Sequence, residues 1–226
     1  MHYLFFYIFL LFPSHQYPTL ASTGKDISSF IPKGYHIIHK AKGHLNQDTL
    51  EDHAIIIESD EPVNELKEAD HAQNARILFI LLADVKGGYY LSVQSNESTM
   101  LSDDGGVFGD PLQEVYIANK VVNVEYYGGS AEKWSYTYKW RFQKNDWYLI
   151  GATYTTMSPF ENILEKNDFN FNTGVAERTV MPYLEEDEGK PVIKPKTKRF
   201  NPGKKPLFKL RNFRFGENMV YKDMYF

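Results

Sequence analysis

The chain reads as a mainly β protein, an antiparallel meander sheet or sandwich with few short helices, and three observations carry that reading. Aromatic residues make up 15% of the 226 positions, with 16 Tyr and 16 Phe, and broad rings pack well across the pleated surface of paired strands. In Trp134-Ser-Tyr-Thr-Tyr-Lys-Trp-Arg-Phe142 the rings fall on every second residue, with Ser135, Thr137, Lys139 and Arg141 between them. That is the period of a strand with one buried face. The wholly apolar runs Ala54–Ile57 and Ile77–Ala83 are too short for helices and suit strands buried on both faces.

The totals bound the answer further. A 42% hydrophobic, 24% charged chain with a net charge of -4 is an ordinary globular balance, long enough for one large or two small domains. The negative balance argues against a nucleic-acid partner. Cysteine is absent, which excludes disulfides, thiolate chemistry and lipid attachment at a cysteine. Met1–Phe12 is an apolar run of signal-peptide length, too short to span a bilayer core of about 30 Å, so no integral membrane span is expected. Thr19-Leu20-Ala21 places small residues where a signal peptidase cuts, so residues 1–21 read as a leader and the protein as exported, periplasmic or extracellular.

The elements then follow in order. Phe30-Ile-Pro-Lys-Gly34 opens the folded part, Tyr35–His39 reads as a first short strand, and Lys40 to Asp52 reads as a polar loop. Glu61–Asn74, with Pro62 near its start, suits a surface helix or a long loop. Ile77–Ala83 and Tyr89–Val93 flank Gly87-Gly88 as a hairpin, and Val115–Ala118 and Val121–Tyr126 flank Asn119-Lys120 as another. Ser102–Pro111 holds three glycines and a proline, so it is a loop. The aromatic hairpin turns at Lys144-Asn145-Asp146, and Asp168–Phe171 and Val175–Val180 flank Gly174 as one more hairpin. The β domain thus covers residues 22–183. The chain next changes character: Glu185–Glu188 is acidic, and four prolines interrupt the basic stretch Lys190–Arg214. Residues 184–206 are expected to form an extended arm, and 207–226 a tail whose alternating Phe208–Phe215 returns to a sheet edge.

Four groups of residues are candidate sites. Asn46, Asp48 and Asp52 hold the third, fifth and ninth places of a calcium-loop pattern, but His44 stands at the first carboxylate position and Thr49 replaces the turn glycine. A metal-free turn without cofactor is therefore expected, these three residues being the ligands if calcium binds. His36 and His39 point to opposite faces of a regular strand, which argues against joint ligation of a transition metal. Asp103, Asp104 and Asp110, on a loop carried by a rigid scaffold, are the best binding residues, and a carboxylate pair there is also what a glycan hydrolase needs. Trp134 and its neighbouring rings form either a sugar-stacking platform or core. Gly128-Gly129-Ser130 lacks the lysine and following helix of a phosphate loop.

Residues Ile31 to Gly174 resemble a loosely known set of exported bacterial proteins. In these a degenerate dockerin- or FG-GAP-like Asp-Leu-Asn-x-Asp-Gly loop precedes a strand, and a Gly-Gly-x-Phe-Gly-Asp-Pro loop and a Tyr-Gly-Gly-Ser turn lead to a Trp- and Tyr-rich hairpin. The matching stretches here are Gly105–Pro111, Tyr127–Ser130 and Trp147–Gly151. The resemblance implies a secreted or envelope location and no assigned activity. The resulting expectation is a noncatalytic exported binding module that contacts a glycan or another envelope protein through loops near Asp48 and Asp104. A glycan-acting hydrolase using the loop carboxylates and a structural protein pairing through its C-terminal strand are the alternatives.

Overall fold

The computed structural model describes residues 17–68, 71–184, 194–221 and 224–226, so the apolar run Met1–Phe12 and the acidic run Glu185–Glu188 lie outside the described residues. The strands are β1 (Thr23–Gly24), β2 (Tyr35–Gly43), β3 (Asp52–Ser59), β4 (Val63–Glu68), β5 (His71–Gln73), β6 (Arg76–Ala83), β7 (Tyr89–Ser95) and β8 (Leu112–Ala118). They continue as β9 (Val121–Gly129), β10 (Lys133–Gln143), β11 (Asp146–Ser158), β12 (Ile163–Asn170), β13 (Val175–Pro182), β14 (Lys196–Phe200), β15 (Met219–Tyr221) and β16 (Met224–Tyr225). Two antiparallel sheets result, one of five strands in the order β1-β7-β6-β3-β2 and one of seven in the order β14-β13-β12-β11-β10-β9-β8. The seven-stranded sheet is a pure meander, because every connection within its first six strands is short. Asn119-Lys120 and Lys144-Asn145 all take positive φ (52°, 63°, 51° and 60°), the conformation whose twist matches a two-residue hairpin. Among the described residues no helix is long and apolar enough to cross a membrane.

The two apolar runs form the centre of the smaller sheet and feed both its faces. Ala54, Ile56, Leu78, Ile80 and Leu82 enter the main core between the sheets. Ile55, Ile57, Ile77, Phe79 and Leu81 point the other way, where Leu20 and Phe30 cover them. Continuous hydrophobicity in these strands is thus explained by a third layer, built from the segment before β2.

The aromatic face of β10 is core, not an open platform. Tyr138 and Trp140 are buried, and Trp134 and Tyr136 pack against the same cluster. The five-stranded sheet is too narrow to cover all seven strands of its partner. Residues 207–226 supply the rest: Phe213 meets Tyr138 and Trp140 edge-on at 5.5 and 5.0 Å, Phe215 meets Tyr136 at 5.6 Å, and Phe226 meets Phe169 at 5.4 Å. Asp146 anchors the start of this segment through Lys209 and Arg211, each 3.0 Å away.

Several expectations change here. Lys196–Phe200, in the proline-rich stretch, is an edge strand paired with β13, and it carries Lys196 and Lys198, a residue type that disfavours edge-to-edge pairing. The tail first meets the free edge of β11, where the Leu149 amide donates to the Phe208 carbonyl at 2.9 Å and Tyr148 bridges Lys209, and then crosses the sheet's inner face with Leu210 and Phe213 buried. Pairing with another chain through Phe208–Phe215 would require it to leave its own core. Glu61–Asn74 is neither helix nor plain loop, since it contains the short β4–β5 pair. A bulge between Ile37 and His39 shifts the β2 register, so that His36 pairs with Glu58 and His39 with Ile56. The two histidines therefore share a face, because an added residue reverses the alternation.

Candidate functional site: a rim built on the glycine loop

The loop expected to carry binding residues, Ser102–Pro111, folds onto the end of β9 and the start of β10. Two glycine pairs make this possible. A Cβ on Gly105 would lie 2.0 Å from the Gly109 carbonyl oxygen, and one on Gly129, whose φ is 116°, would lie 2.2 Å from the Glu132 carbonyl oxygen. The Gly129 amide donates to the Gly105 carbonyl (2.9 Å), and the Val107 amide donates to the Gly129 carbonyl (3.1 Å). Trp134 lies against Gly128 on the same junction. The sequence expectation that Gly128-Gly129-Ser130 is not a phosphate loop has this physical content: the glycines are spent on backbone contact. Gly129→Ala is expected to destabilise the protein by about 2 kcal/mol or more, through positive φ and the carbonyl clash together. Chemical denaturation would measure it, and an unchanged midpoint would refute the role.

Side chains complete the anchoring. Asp110 accepts from both terminal nitrogens of Arg76, at 2.9 and 2.5 Å, and its Oδ1 also accepts from the Leu112 amide at 3.0 Å. Arg76, only 1% exposed as a side chain, also donates to Glu58 (2.6 Å) and to the Met100 carbonyl (3.1 Å). Asp104 caps the loop by accepting from the Leu101 amide at 2.7 Å. The Asp103 side chain stays exposed while its amide donates to Gln73 Oε1 at 3.3 Å. Asp104 and Asp110 thus hold the loop, and they are not displayed across a cleft as an acid–base pair would be. His39 sits beside this ion cluster, where burial lowers its pKa against the opposing pull of Asp110.

What the loop displays is apolar. Val107 is 76% exposed and Phe108 46%. Phe108 packs on Tyr127 at 5.2 Å, and Tyr127 lies close enough to Tyr183 that the second ring adds to the burial that raises its pKa. Lys133 caps the Tyr183 ring at 5.8 Å. Beyond it, Asn162 ties Tyr183 and Leu184 to the β11–β12 turn, accepting from their amides at 3.2 and 2.7 Å. That turn exposes Phe160 at 74%, and Leu184 is exposed as well. Asp103, Glu132 and Glu161 stand exposed around this band, with Lys133 the nearby cation.

The structure therefore brings together Asp103, Asp104, Asp110 and Trp134, but as the frame of a rim whose contact residues sequence reasoning passed over. Val107 and Phe108 carried a usable signal, being apolar residues inside a glycine-rich loop. Phe160 and Leu184 carried none, because only the hairpin ends bring them near. Arg76 opened an apolar run, which in a doubly buried strand requires a carboxylate partner.

Asn46, Asp48 and Asp52 lie elsewhere, each bonded within its own turn, with Asp52 buried and Asp48 exposed. Both oxygens of buried Asp52 accept backbone bonds, from Leu45 (2.8 Å) and Ala83 (2.9 Å). Asp48 accepts from the Leu50 amide and the Asn46 side chain, at 2.8 and 2.7 Å. Among the described residues no group of three His, Cys, Asp or Glu side chains is placed to hold a metal ion. Comparison of the chain with known protein families, with curated proteins and with solved structures found no match.

Proposed function

We propose that the protein is a noncatalytic exported or envelope binding module that grips another protein through the Val107–Phe108 rim. The observation that carries this reading is the pair of exposed apolar side chains on a loop pinned by the buried Arg76–Asp110 contact. Exposed apolar groups on a preorganised backbone lose little conformational entropy on binding, and contiguous patches of this kind mark interaction surfaces. The acids around the band favour a partner with an apolar knob ringed by Lys or Arg, and they disfavour an anionic membrane surface. The engagement of Asp104 and Asp110 in loop anchoring supports binding over glycan hydrolysis.

A photo-crosslinking residue placed at Phe108 is expected to yield one discrete adduct in cells, whereas one at Lys86, in the exposed β6–β7 turn at the other end of β6 from Arg76, yields none. The purified partner should then bind the native protein. Val107→Asp combined with Phe108→Asp should weaken that binding by about 2 kcal/mol or more, roughly 30-fold, as central hot-spot residues do. Thermal stability should change little, since both side chains face solvent. Equal adducts at both positions, or unchanged affinity in the double variant, would refute the rim.

A further inference from the structure

The face of the seven-stranded sheet turned away from the core carries a polar hollow where β10, β11 and β12 meet at Gly151. Strand register creates it. Lys139 pairs with Gly151 and Trp140 with Leu149, so Ile150 is an extra residue in β11, and a bulge of this kind re-aims the side chains beside it. Gly151 in turn pairs with Asn170 on β12. With no side chain at Gly151 the Lys139 stem leans across β11, its Cδ 3.5 Å from where a Cβ would stand, and its Nζ comes within 4.0 Å of Asp168 Oδ1. The hollow holds about 200 Å³ and is walled by Lys139, Arg141, Asp168, Asn170 and Asn172. Past Asp168 and Asn170 a second hollow of about 370 Å³ continues to Arg199, whose charge Glu177 balances at 2.9 Å.

The hydrogen bonds decide what fits. Arg141 donates from one terminal nitrogen to Gln143 Oε1 at 2.8 Å, and among the described residues no carboxylate pairs with it. Asn172 Oδ1 accepts from Gln143 at 3.5 Å and Asn170 Oδ1 from the Thr173 amide at 3.1 Å, which leaves the N–H groups of both side-chain amides to a ligand. Two cations and two amide donors attract an oxyanion, and a guanidinium matches the planar carboxylate. Asp168 repels a bare anion. Its Oδ1 accepts from the Thr153 hydroxyl at 2.6 Å, so a ligand must bring a hydroxyl to its Oδ2. Phe169, the one ring in the lining, is 2% exposed and offers no surface to an apolar group.

We propose that this hollow binds a hydroxylated carboxylate the size of one sugar acid, such as a uronic acid unit of a glycan, with its carboxylate on Arg141 and Lys139 and a ring hydroxyl on Asp168. The second hollow leaves room for a further, neutral unit. Lys139 stands about 20 Å along β10 from Lys133 at the ordinary strand rise, so this site is separate from the Val107–Phe108 rim and neither reading depends on the other.

Glucuronate titrated into the full protein, followed by amide chemical shifts, tests the assignment. Saturable shifts are expected at Gly151, Asn170 and Asn172, and none at Val107. Arg141→Gln should weaken the binding about tenfold or more and Lys139→Gln by less, with melting temperatures unchanged because neither side chain holds a close ion pair. Glucose lacks the carboxylate, acetate lacks the hydroxyls and glycine puts an ammonium in their place, so each should bind about tenfold more weakly or worse. Any of the three matching glucuronate would overturn the assignment, as would shifts that do not saturate or an unchanged affinity in Arg141→Gln.

Discussion

Replacing Arg76 with Ala is expected to cost about 3 kcal/mol of stability, because it strands a carboxylate in a nearly dry site. Glu58, whose side chain is 14% exposed, bonds the Arg76 Nε at 2.6 Å, and without it keeps a charge but no cation. The figure lies at the low end for a broken buried pair because Asp110 retains contact with water. Arg76→Met should recover part of the lost packing but none of the charge balance. The two variants together separate volume from electrostatics. Denaturant unfolding followed by Trp fluorescence measures both, and the loop predicts a second signature. Freed from Asp110, the Ser102–Pro111 backbone, Val107 included, and the Gly129 amide bonded to it should exchange hydrogens faster, while the β12–β13 hairpin is unaffected. Uniform exchange across the sheet would show that Arg76 supports the fold in general and not the rim in particular.

Phe213→Ala is expected to cost about 3 to 4 kcal/mol, the range for deleting a fully buried ring, and to lower the melting temperature by roughly 10 °C for a domain of this size. Phe213 touches Tyr138, Trp140 and Phe208, so its loss leaves a cavity bounded by rings that cannot collapse far. The same variant should bind a dye for exposed apolar surface, because the tail is the only layer over that part of the sheet among the described residues. A pH dependence follows from Asp146. Burial alone would raise its pKa, but hydrogen bonds from Lys209, the Trp147 amide and Arg211 outweigh that and hold it below the ordinary value of 3.8. A depressed folded-state pKa means the carboxylate's contribution is present at neutral pH and is lost as pH falls through that lower value. Asp146→Asn should therefore be less stable than the native protein at pH 7, and the difference should close in strong acid. A constant difference across the range would refute the anchor.

The mainly β class, the meander and the placement of the aromatic hairpin were legible in the residues, because period-two burial and the turn chemistry of Asn119-Lys120 and Lys144-Asn145 act over a few neighbouring positions. The doubly buried strands at Ala54–Ile57 and Ile77–Ala83 were legible for the same reason. The covers were not. Period two says that one face of β10 is buried, but whether a second sheet, a sugar or the chain's own tail covers it depends on contacts between residues about 75 positions apart, such as Phe213 and Tyr138. A bulge as small as the one at Ile38 reversed which histidines share a face, a change no pattern of alternation announces. The candidate loop was found from its glycines and acids, yet its chemistry was inverted: the acids turned out to be anchors and the two apolar residues between them the display. By itself the sequence determined the strands, their turns and the loop. Only the tertiary structure decided which surfaces remain open, because exposure is set by what distant segments bring to a face, and local residue order carries no information about that.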